Sequence, residues 1–189
     1  GGHKMAGGFS IDASNDYLHA LIGRGRAGEI KKGYSKHLER SLVSWEAAKS
    51  LGYRLKLNTV VCRHNRYDDM SELVARLGPD RWKVFQALPI KGENDHVWDE
   101  LEISSEEFSA WVTRHRHLSP VAESNDLMTG SYCMLDGKLR FYNNVGGEFK
   151  HSAPIPEVGM DRAWAEIESM FSDDVFEDRG GIWSWEVSK

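Results

Sequence analysis

The sequence predicts an α/β fold in which helices alternate with the strands of a parallel sheet. Two runs, 54–61 and 81–89, change side-chain character from one residue to the next, as strands do. Helical patterns lie before and between these runs, and the connections are a few residues long. Strands joined through a helix pair in parallel, so residues 9–89 are expected to form β-α-β-α-β units.

A short strand over 9–13 and a short helix over 17–22 are expected at the start. Asn15 or Asp16 can cap this helix, because both side chains accept hydrogen bonds from backbone N–H groups. The residues that follow, 23–28, are glycine-bearing and basic, but they lack the GxxxxGK[ST] spacing of a phosphate loop. We expect a flexible connection there.

Two helices are expected to flank the strand 54–61. The first covers 35–51, where apolar side chains recur at helical spacing and Gly52 follows as a C-terminal signal. The second begins at Asp69, which forms a capping-box pattern with Glu72, and ends at Gly78-Pro79.

The chain becomes less regular after residue 92. Ser104 and Glu107 form a second capping-box pattern, which predicts a helix that runs to about residue 117. Asp136-Gly137 predicts a β-hairpin over 131–143, and a last helix is expected over 161–171. These features suggest a C-terminal extension beyond the main sheet.

Cationic side chains sit at alternate positions of the two central strands. Lys56 and Asn58 share one face of the first strand, and Arg81 and Lys83 share one face of the second. If the strands are neighbours, these four side chains enter one space and can bind an anion. The alternative is that they lie on the exposed faces of half-buried strands.

Composition is that of a soluble globular chain, and it excludes several classes of protein. Hydrophobic residues make up 40%, charged residues 28%, and the net charge is −5. An acidic chain with a basic segment suits a small anionic ligand better than a nucleic acid polymer. Neither a membrane span nor a signal peptide is apparent, and residues 1–8 look like a cloning remnant.

The chain has two cysteines, Cys62 and Cys133, without the close spacing that zinc or iron–sulfur sites use. We therefore expect no metal site formed by this chain alone. Two unpaired thiols without a signal peptide are typical of a reduced, cytoplasmic protein.

Eleven short motifs occur in an order that is similar to one known family. They are LIGRG at 21–25, LKLNTVV at 55–61, DM at 69–70, RWKVFQ at 81–86, IKGEN at 90–94, ESN at 123–125, SY and LD within 131–136, RF at 140–141, VG at 158–159 and RGG at 179–181. On these residues the chain resembles the C-terminal two-thirds of viperin and the viperin-like antiviral enzymes, which are radical S-adenosylmethionine proteins.

The resemblance implies a partial (βα)6 barrel whose C-terminal strands and helices fall in residues 9–121. Residues 122–189 would be an extension, with a short hairpin, that packs on the barrel. The family implies a 4Fe–4S cluster and S-adenosylmethionine as cofactors. It implies that CTP or UTP is converted to a 3′-deoxy-3′,4′-didehydro nucleotide, an antiviral chain terminator.

The resemblance also implies roles for single residues. The triphosphate would be held by a polar set, namely Lys56, Asn58, Arg81, Lys83 and, less closely matched to the family, Lys150. Arg24 matches the arginine near the carboxylate of S-adenosylmethionine, and Ser14 is the neighbouring candidate for that cofactor. Tyr132 matches the tyrosine near the ribose, where it can relay a proton to the leaving hydroxyl.

One departure from the family bears on activity. The CxxxCxxC that binds the cluster belongs to an N-terminal third that this sequence does not contain. We therefore expect this chain alone to lack the cluster and to be inactive, with a strand edge exposed for self-association.

The departure leaves three interpretations open. The chain is a portion of a nucleotide dehydratase, a truncated nucleotide-binding or regulatory module without radical chemistry, or an interaction domain without a ligand. An in-frame CxxxCxxC upstream of residue 9 distinguishes the first from the second.

Overall fold

The structure is a computed structural model that describes residues 5–182, and it confirms the α/β class. The strands are β1 (Ala6–Ser10), β2 (Arg54–Val61), β3 (Arg81–Gln86), β4 (Val121–Glu123), β5 (Met134–Leu135), β6 (Phe141–Asn143) and β7 (Lys150–His151). They form a parallel four-stranded sheet of order β1-β2-β3-β4 and a small sheet of order β5-β6-β7.

Ten α-helices lie among the described residues. They are α1 (Asp16–Leu21), α2 (Ala27–Ile30), α3 (His37–Ser50), α4 (Ser71–Leu77), α5 (Trp98–Leu101), α6 (Ser105–Arg114), α7 (Asn125–Met128), α8 (Ile155–Val158), α9 (Met160–Ala165) and α10 (Asp173–Asp178). Within the described part of the chain, no helix combines the length and the apolar character that crossing a membrane requires.

Two compact units make up the chain. One contains the sequence up to Ala87 together with Glu100–Ala122, and the other contains Leu88–Asp99 and the sequence from Glu123 onward. The first unit holds the parallel sheet apart from the last residue of β4, and the second holds the antiparallel sheet. Residues 183–189, the end of the expected extension, lie outside the described residues.

The first strand differs from its prediction. It was expected at 9–13, but β1 covers Ala6–Ser10 and pairs in parallel with β2, from Ala6 opposite Arg54 to Ser10 opposite Asn58. Residues 6–8, which the sequence analysis set aside, therefore take part in the sheet. The cause is local. Asp12 and Ala13 are buried in the loop after β1, where the Asp12 carboxylate accepts the Val60 N–H of β2.

One face of the parallel sheet is packed against helices. In β2 the side chains of Leu55, Leu57, Thr59 and Val61 are buried and alternate with half-exposed neighbours. On β3, Trp82 meets Trp111 of α6 with ring centroids 5.7 Å apart. These alternate positions form the core of the unit, so the intervening positions must face the other way.

The predicted caps are confirmed in part. Ser104 and Glu107 form the expected capping box at α6, with both hydrogen bonds at 3.1 Å. The expected box at Asp69 is wrong: helix α4 begins at Ser71, whose N–H binds the Asp69 carboxylate at 2.9 Å, and Glu72 does not bond back. The helix therefore begins at Ser71, two residues later than expected, and the buried Met70 lies in the connection before it.

The connection at 23–28 and the last helix also differ. The expected flexible connection contains the start of α2, whose Glu29 carboxylate accepts the N–H of Arg26 at 3.2 Å. The single helix expected at 161–171 is divided into α9 and a 3₁₀ turn at Glu168–Met170, and α10 follows. These segments are too short for hydrophobic periodicity to define.

The predicted hairpin is present in the second unit, with Leu135 paired to Phe141. Asp136 organises its turn, because the carboxylate accepts the N–H groups of Lys138 and Arg140 at 2.8 and 3.0 Å. These bonds and the Arg140 guanidinium lower the pKa of Asp136 to about 2. The left-handed residue of the turn is Leu139, with φ of 57°, and not the glycine of Asp136-Gly137.

Two buried histidines bind backbone N–H groups, one at the start of α4 and one in the loop after β1. The Nε2 atom of His115 accepts the Met70 N–H at 3.0 Å, while its Nδ1 lies 2.8 Å from the Trp111 carbonyl. His19 bonds in the same manner to the Asp12 N–H, at 3.1 Å, and to the Asn15 carbonyl. Burial lowers the pKa of both rings, so both are neutral at pH 7.

We therefore predict that stability falls as the pH drops below about 6.5, the ordinary pKa of histidine. Below this pH, His19 and His115 bind protons in the unfolded chain but stay neutral in the folded chain, because burial lowers their pKa. Urea unfolding of the wild type and of His115→Phe, at several pH values between neutral and mildly acidic, measures the effect. The variant should be less stable at neutral pH but lose less stability on acidification. Equal pH dependence of the two proteins would contradict the prediction.

Candidate functional site

The predicted cationic set lies on the face of the parallel sheet opposite to the side formed by Leu55, Leu57 and Trp82. In the register of β2 and β3, Lys56 is opposite Arg81 and Asn58 is opposite Lys83. Residues paired in parallel strands point to the same side, and neighbouring strands are about 4.8 Å apart. The structure therefore brings these four side chains together on one face, with their charges concentrated in a small area.

Burial distinguishes the members of this set. Lys83 is only 4% exposed, and its ammonium lies 5.3 Å from the centre of the Phe85 ring. Lys56 and Arg81 are half-buried. The alternative interpretation, that these are exposed side chains of half-buried strands, is therefore wrong for Lys83. A lysine amine is seldom buried without a polar or charged neighbour, so this face is a place where charge is held out of bulk water.

The neighbouring strand leaves room beside this set. Gly8 of β1 is paired with Lys56, and a Cβ atom added at Gly8 would meet nothing within 4 Å. Ser10 is paired with Asn58, whose Oδ1 is buried without a hydrogen-bond partner among the described residues. A buried amide oxygen with no partner is a place where a ligand or water donor fits.

A second polar group lies in the loop that follows β1. The carboxylate of Asp12, 1% exposed, accepts the Val60 N–H at 2.8 Å and the Arg24 Nε at 2.5 Å. Asn65 completes this group, because its amide bonds the carbonyls of Asp12 and Val60 and the N–H of Cys62. The loops after β1 and β2 are thereby tied to one another.

The two residues expected at S-adenosylmethionine occupy different surroundings. Arg24 uses its Nε to bind Asp12, and its side chain remains 39% exposed. Ser14 bonds to Asp68 through its N–H at 2.7 Å and its hydroxyl at 2.6 Å. Both follow β1 in the chain, and their role toward the cofactor stays a prediction.

Tyr132, the expected catalytic residue, belongs to a cluster in the second unit. Its hydroxyl donates a short hydrogen bond to the carboxylate of Glu123, which is fully buried. The guanidinium of Arg179 lies 3.9 Å from the centre of the Tyr132 ring and 3.7 Å from Glu123 Oε1. We call Glu123, Tyr132 and Arg179 the Tyr132 cluster.

Lys150 was the weakest member of the expected triphosphate set. It lies on β7 in the second unit, and its ammonium is paired with the Glu148 carboxylate. The side chain is 46% exposed. Nothing in these surroundings resembles the buried setting of Lys83, and its role toward a triphosphate stays a prediction.

Thiol, imidazole and carboxylate side chains are the groups of this chain that could bind a metal. Among residues 5–182, no group of three or more histidine, cysteine, aspartate or glutamate side chains is arranged to hold a metal ion. Burial raises the pKa of the Cys62 and Cys133 thiols, which disfavours the thiolates that iron requires. These residues do not fit an iron–sulfur cluster.

Sequence reasoning missed three polar residues that the structure makes prominent, namely Asp12, Glu123 and Arg179. Two of them stand inside quoted motifs, ESN and RGG, but the motifs alone do not show that their side chains meet. Glu123 is the last residue of β4, at the carboxyl end of a parallel strand, where polar residues of α/β sheets often bind ligands.

Comparison with known proteins tests the resemblance that the motifs indicate. No protein-family model matches the sequence. The chain is 38% identical over 179 residues to a protein of Flammeovirga pacifica, covering 94% of this chain and 59% of that protein. It is 38% identical over 182 residues to a protein of Lacinutrix mariniflava, covering 95% and 37%. Both are named S-adenosylmethionine-dependent nucleotide dehydratase.

A vertebrate relative is similar as well. Over 183 residues the chain is 33% identical to S-adenosylmethionine-dependent nucleotide dehydratase RSAD2 of Danio rerio, covering 94% of this chain and 49% of that protein. The resemblance drawn from the motifs is thus confirmed. The chain spans about half the length of the curated relatives that it matches.

We predict that Asp12→Asn destabilises the first unit. The asparagine has one acceptor oxygen where the Asp12 carboxylate serves both Val60 and Arg24, so one hydrogen bond is lost. Because the Arg24 side chain is 39% exposed, the expected cost is about 1 to 2 kcal/mol. Urea unfolding followed by tryptophan fluorescence measures the loss. Glu46→Gln, at an exposed position of α3, is the control and should unfold like the wild type. Equal stability of Asp12→Asn and the control would show that the pair contributes nothing.

Proposed function

We propose, on the premise that this chain is a homologue of the S-adenosylmethionine-dependent nucleotide dehydratases, that it is part of such an enzyme and binds CTP or UTP. The product would be the 3′-deoxy-3′,4′-didehydro nucleoside triphosphate of the viperin-like enzymes, an antiviral chain terminator. The partial (βα)6 barrel belongs to the same proposal, with the parallel sheet as its C-terminal strands. A cytoplasmic location is consistent with the free thiols Cys62 and Cys133.

The observation that carries the proposal is the register of β2 and β3. It places Lys56 beside Arg81 and Asn58 beside Lys83 on one sheet face. A triphosphate is a compact polyanion, and lysine and arginine groups in partly dry surroundings bind it through charge-assisted hydrogen bonds. We assign this face to the triphosphate.

Other residues of the chain would act around the nucleotide and its cofactor. S-adenosylmethionine and a 4Fe–4S cluster would together supply the radical chemistry of this family, and the described residues would contact only the S-adenosylmethionine. Arg24 would bind the carboxylate of S-adenosylmethionine through its terminal nitrogens while Asp12 fixes its Nε. Ser14 is the second candidate contact, and Tyr132 would hold or move a proton at the ribose.

A second candidate function follows from what the described residues can and cannot bind. The described residues offer no site for the cluster, although they do assemble a cationic face. A chain with these properties can bind nucleotide without radical chemistry, as a regulatory module would. Both candidates require the same triphosphate site, so a binding experiment tests what they share.

We predict that CTP and UTP bind to this chain and that Lys83→Met weakens both by at least about tenfold. The substitution keeps the length of the side chain and removes the buried charge. Isothermal titration measures the affinities. Inorganic triphosphate should compete with CTP, because the site recognises the phosphates.

Lys32→Met provides the matched control, since Lys32 is an exposed lysine of the same unit outside the sheet. It should bind like the wild type. If Lys83→Met and Lys32→Met bind CTP equally well, the sheet face is not the triphosphate site. If the wild type binds neither nucleotide, the proposed function fails for this chain.

A further inference from the structure

We propose that Glu123 and Arg179 are positioning residues for Tyr132. The carboxylate holds the phenol proton and the guanidinium holds the ring. The phenol oxygen is thereby oriented to accept a hydrogen bond from a ribose hydroxyl of the nucleotide. The ligand in this inference rests on the proposed function, whereas the arrangement of the cluster rests on the structure alone.

The hydrogen bond between Tyr132 and Glu123 fixes the direction of the phenol proton. Tyrosine has one O–H donor, and an ionised carboxylate can only accept. The hydroxyl donates to Glu123 Oε2, and this carboxylate has no exposed surface. A tyrosine in this arrangement acts toward a third group as an acceptor, so its partner on a ligand must be a donor such as a hydroxyl.

Arg179 stabilises both other members of the cluster. Its guanidinium stacks on the Tyr132 ring at 3.9 Å and faces the Phe176 ring at 4.9 Å. One of its nitrogens lies 3.7 Å from Glu123, and another donates to the Ser131 carbonyl at 3.2 Å. A buried carboxylate is costly without a cation nearby, and arginine supplies one while it packs against aromatic faces.

The residues around Arg179 show how the chain holds this side chain in place. Arg179 is the C-terminal cap of α10, and the next two residues are glycines with φ of 102° and 49°. Such positive φ angles favour glycine, which gives the RGG motif a structural reason.

The inference changes the expected role of Tyr132. A phenol that donated its proton outward would serve as an acid toward the leaving hydroxyl. In the structure the proton lies toward Glu123, so Tyr132 first receives a hydrogen bond from the sugar. The cluster would then recognise nucleotides that carry ribose hydroxyls over those that lack them.

The first measurement concerns the cluster without any ligand. The protein is prepared with 3-fluorotyrosine, and the ¹⁹F resonance of Tyr132 is assigned by its loss in Tyr132→Phe. Forming a phenolate beside a carboxylate is unfavourable, so Glu123→Gln should lower the pKa of Tyr132 by about one pH unit or more. Glu157→Gln, at an exposed position of the same unit, should leave it unchanged.

The second measurement concerns the ligand. Isothermal titration compares CTP with 2′,3′-dideoxy-CTP for the wild type, Tyr132→Phe and Glu123→Gln. The wild type should prefer CTP by about tenfold, and both variants should lose most of that preference while retaining affinity for the dideoxy nucleotide. Arg179→Lys, which keeps the charge but not the stacking, serves as the test variant if Glu123→Gln does not fold.

The outcomes separate the inference from the proposed function. An unchanged Tyr132 pKa in Glu123→Gln overturns the positioning role. A shifted pKa with an unchanged nucleotide preference overturns the ribose contact. If no protein binds CTP, the proposed function fails, whereas a shifted pKa still supports the cluster as a structural unit.

Discussion

The parallel register of β2 and β3 is the constraint on which the candidate site depends. A shift of one residue in either strand would turn Lys56 and Asn58, or Arg81 and Lys83, into the core, and would expose Leu57 or Trp82. The opposite face is fixed by burial of large side chains against α3 and α6, so the cationic face follows from the packing of the core. The hydrophobic effect thus assembles charges that repel one another.

Buried polar side chains fix the loops around this sheet. Asp12 and Asn65 join the ends of β1 and β2, and His19 and His115 each bind a backbone N–H through a neutral ring. Each of these side chains satisfies backbone groups that would otherwise be buried without partners. Arg24 depends on this arrangement, since its Nε is bound to the same carboxylate that orders Val60. The loop that offers a cofactor contact is therefore part of the core.

The motifs shared with the dehydratases divide into structural and chemical residues. Within RWKVFQ, Trp82 donates to the Thr59 hydroxyl and Gln86 to the Ile103 carbonyl, whereas Arg81 and Lys83 face the other side. Asn94 of the GEN motif binds the backbone of Leu88 and Ile90 and so closes a loop. The ESN and RGG motifs supply the Tyr132 cluster. A motif such as RWKVFQ therefore combines residues that pack in the core with residues that face the candidate site.

The sequence by itself determined the α/β class, the strands β2 and β3, the long helix α3 and the resemblance to the nucleotide dehydratases. Each of these depends on local periodicity or on motif order, which a single chain displays directly. Only the tertiary structure decided that Lys83 is buried, that β1 begins at Ala6, and that Glu123 and Arg179 surround Tyr132. Tyr132 and Arg179 are far apart in the chain, and their contact follows from packing between elements that no local pattern encodes. The same holds for Asp12, whose partners are Arg24, which follows α1, and Val60, which lies in β2.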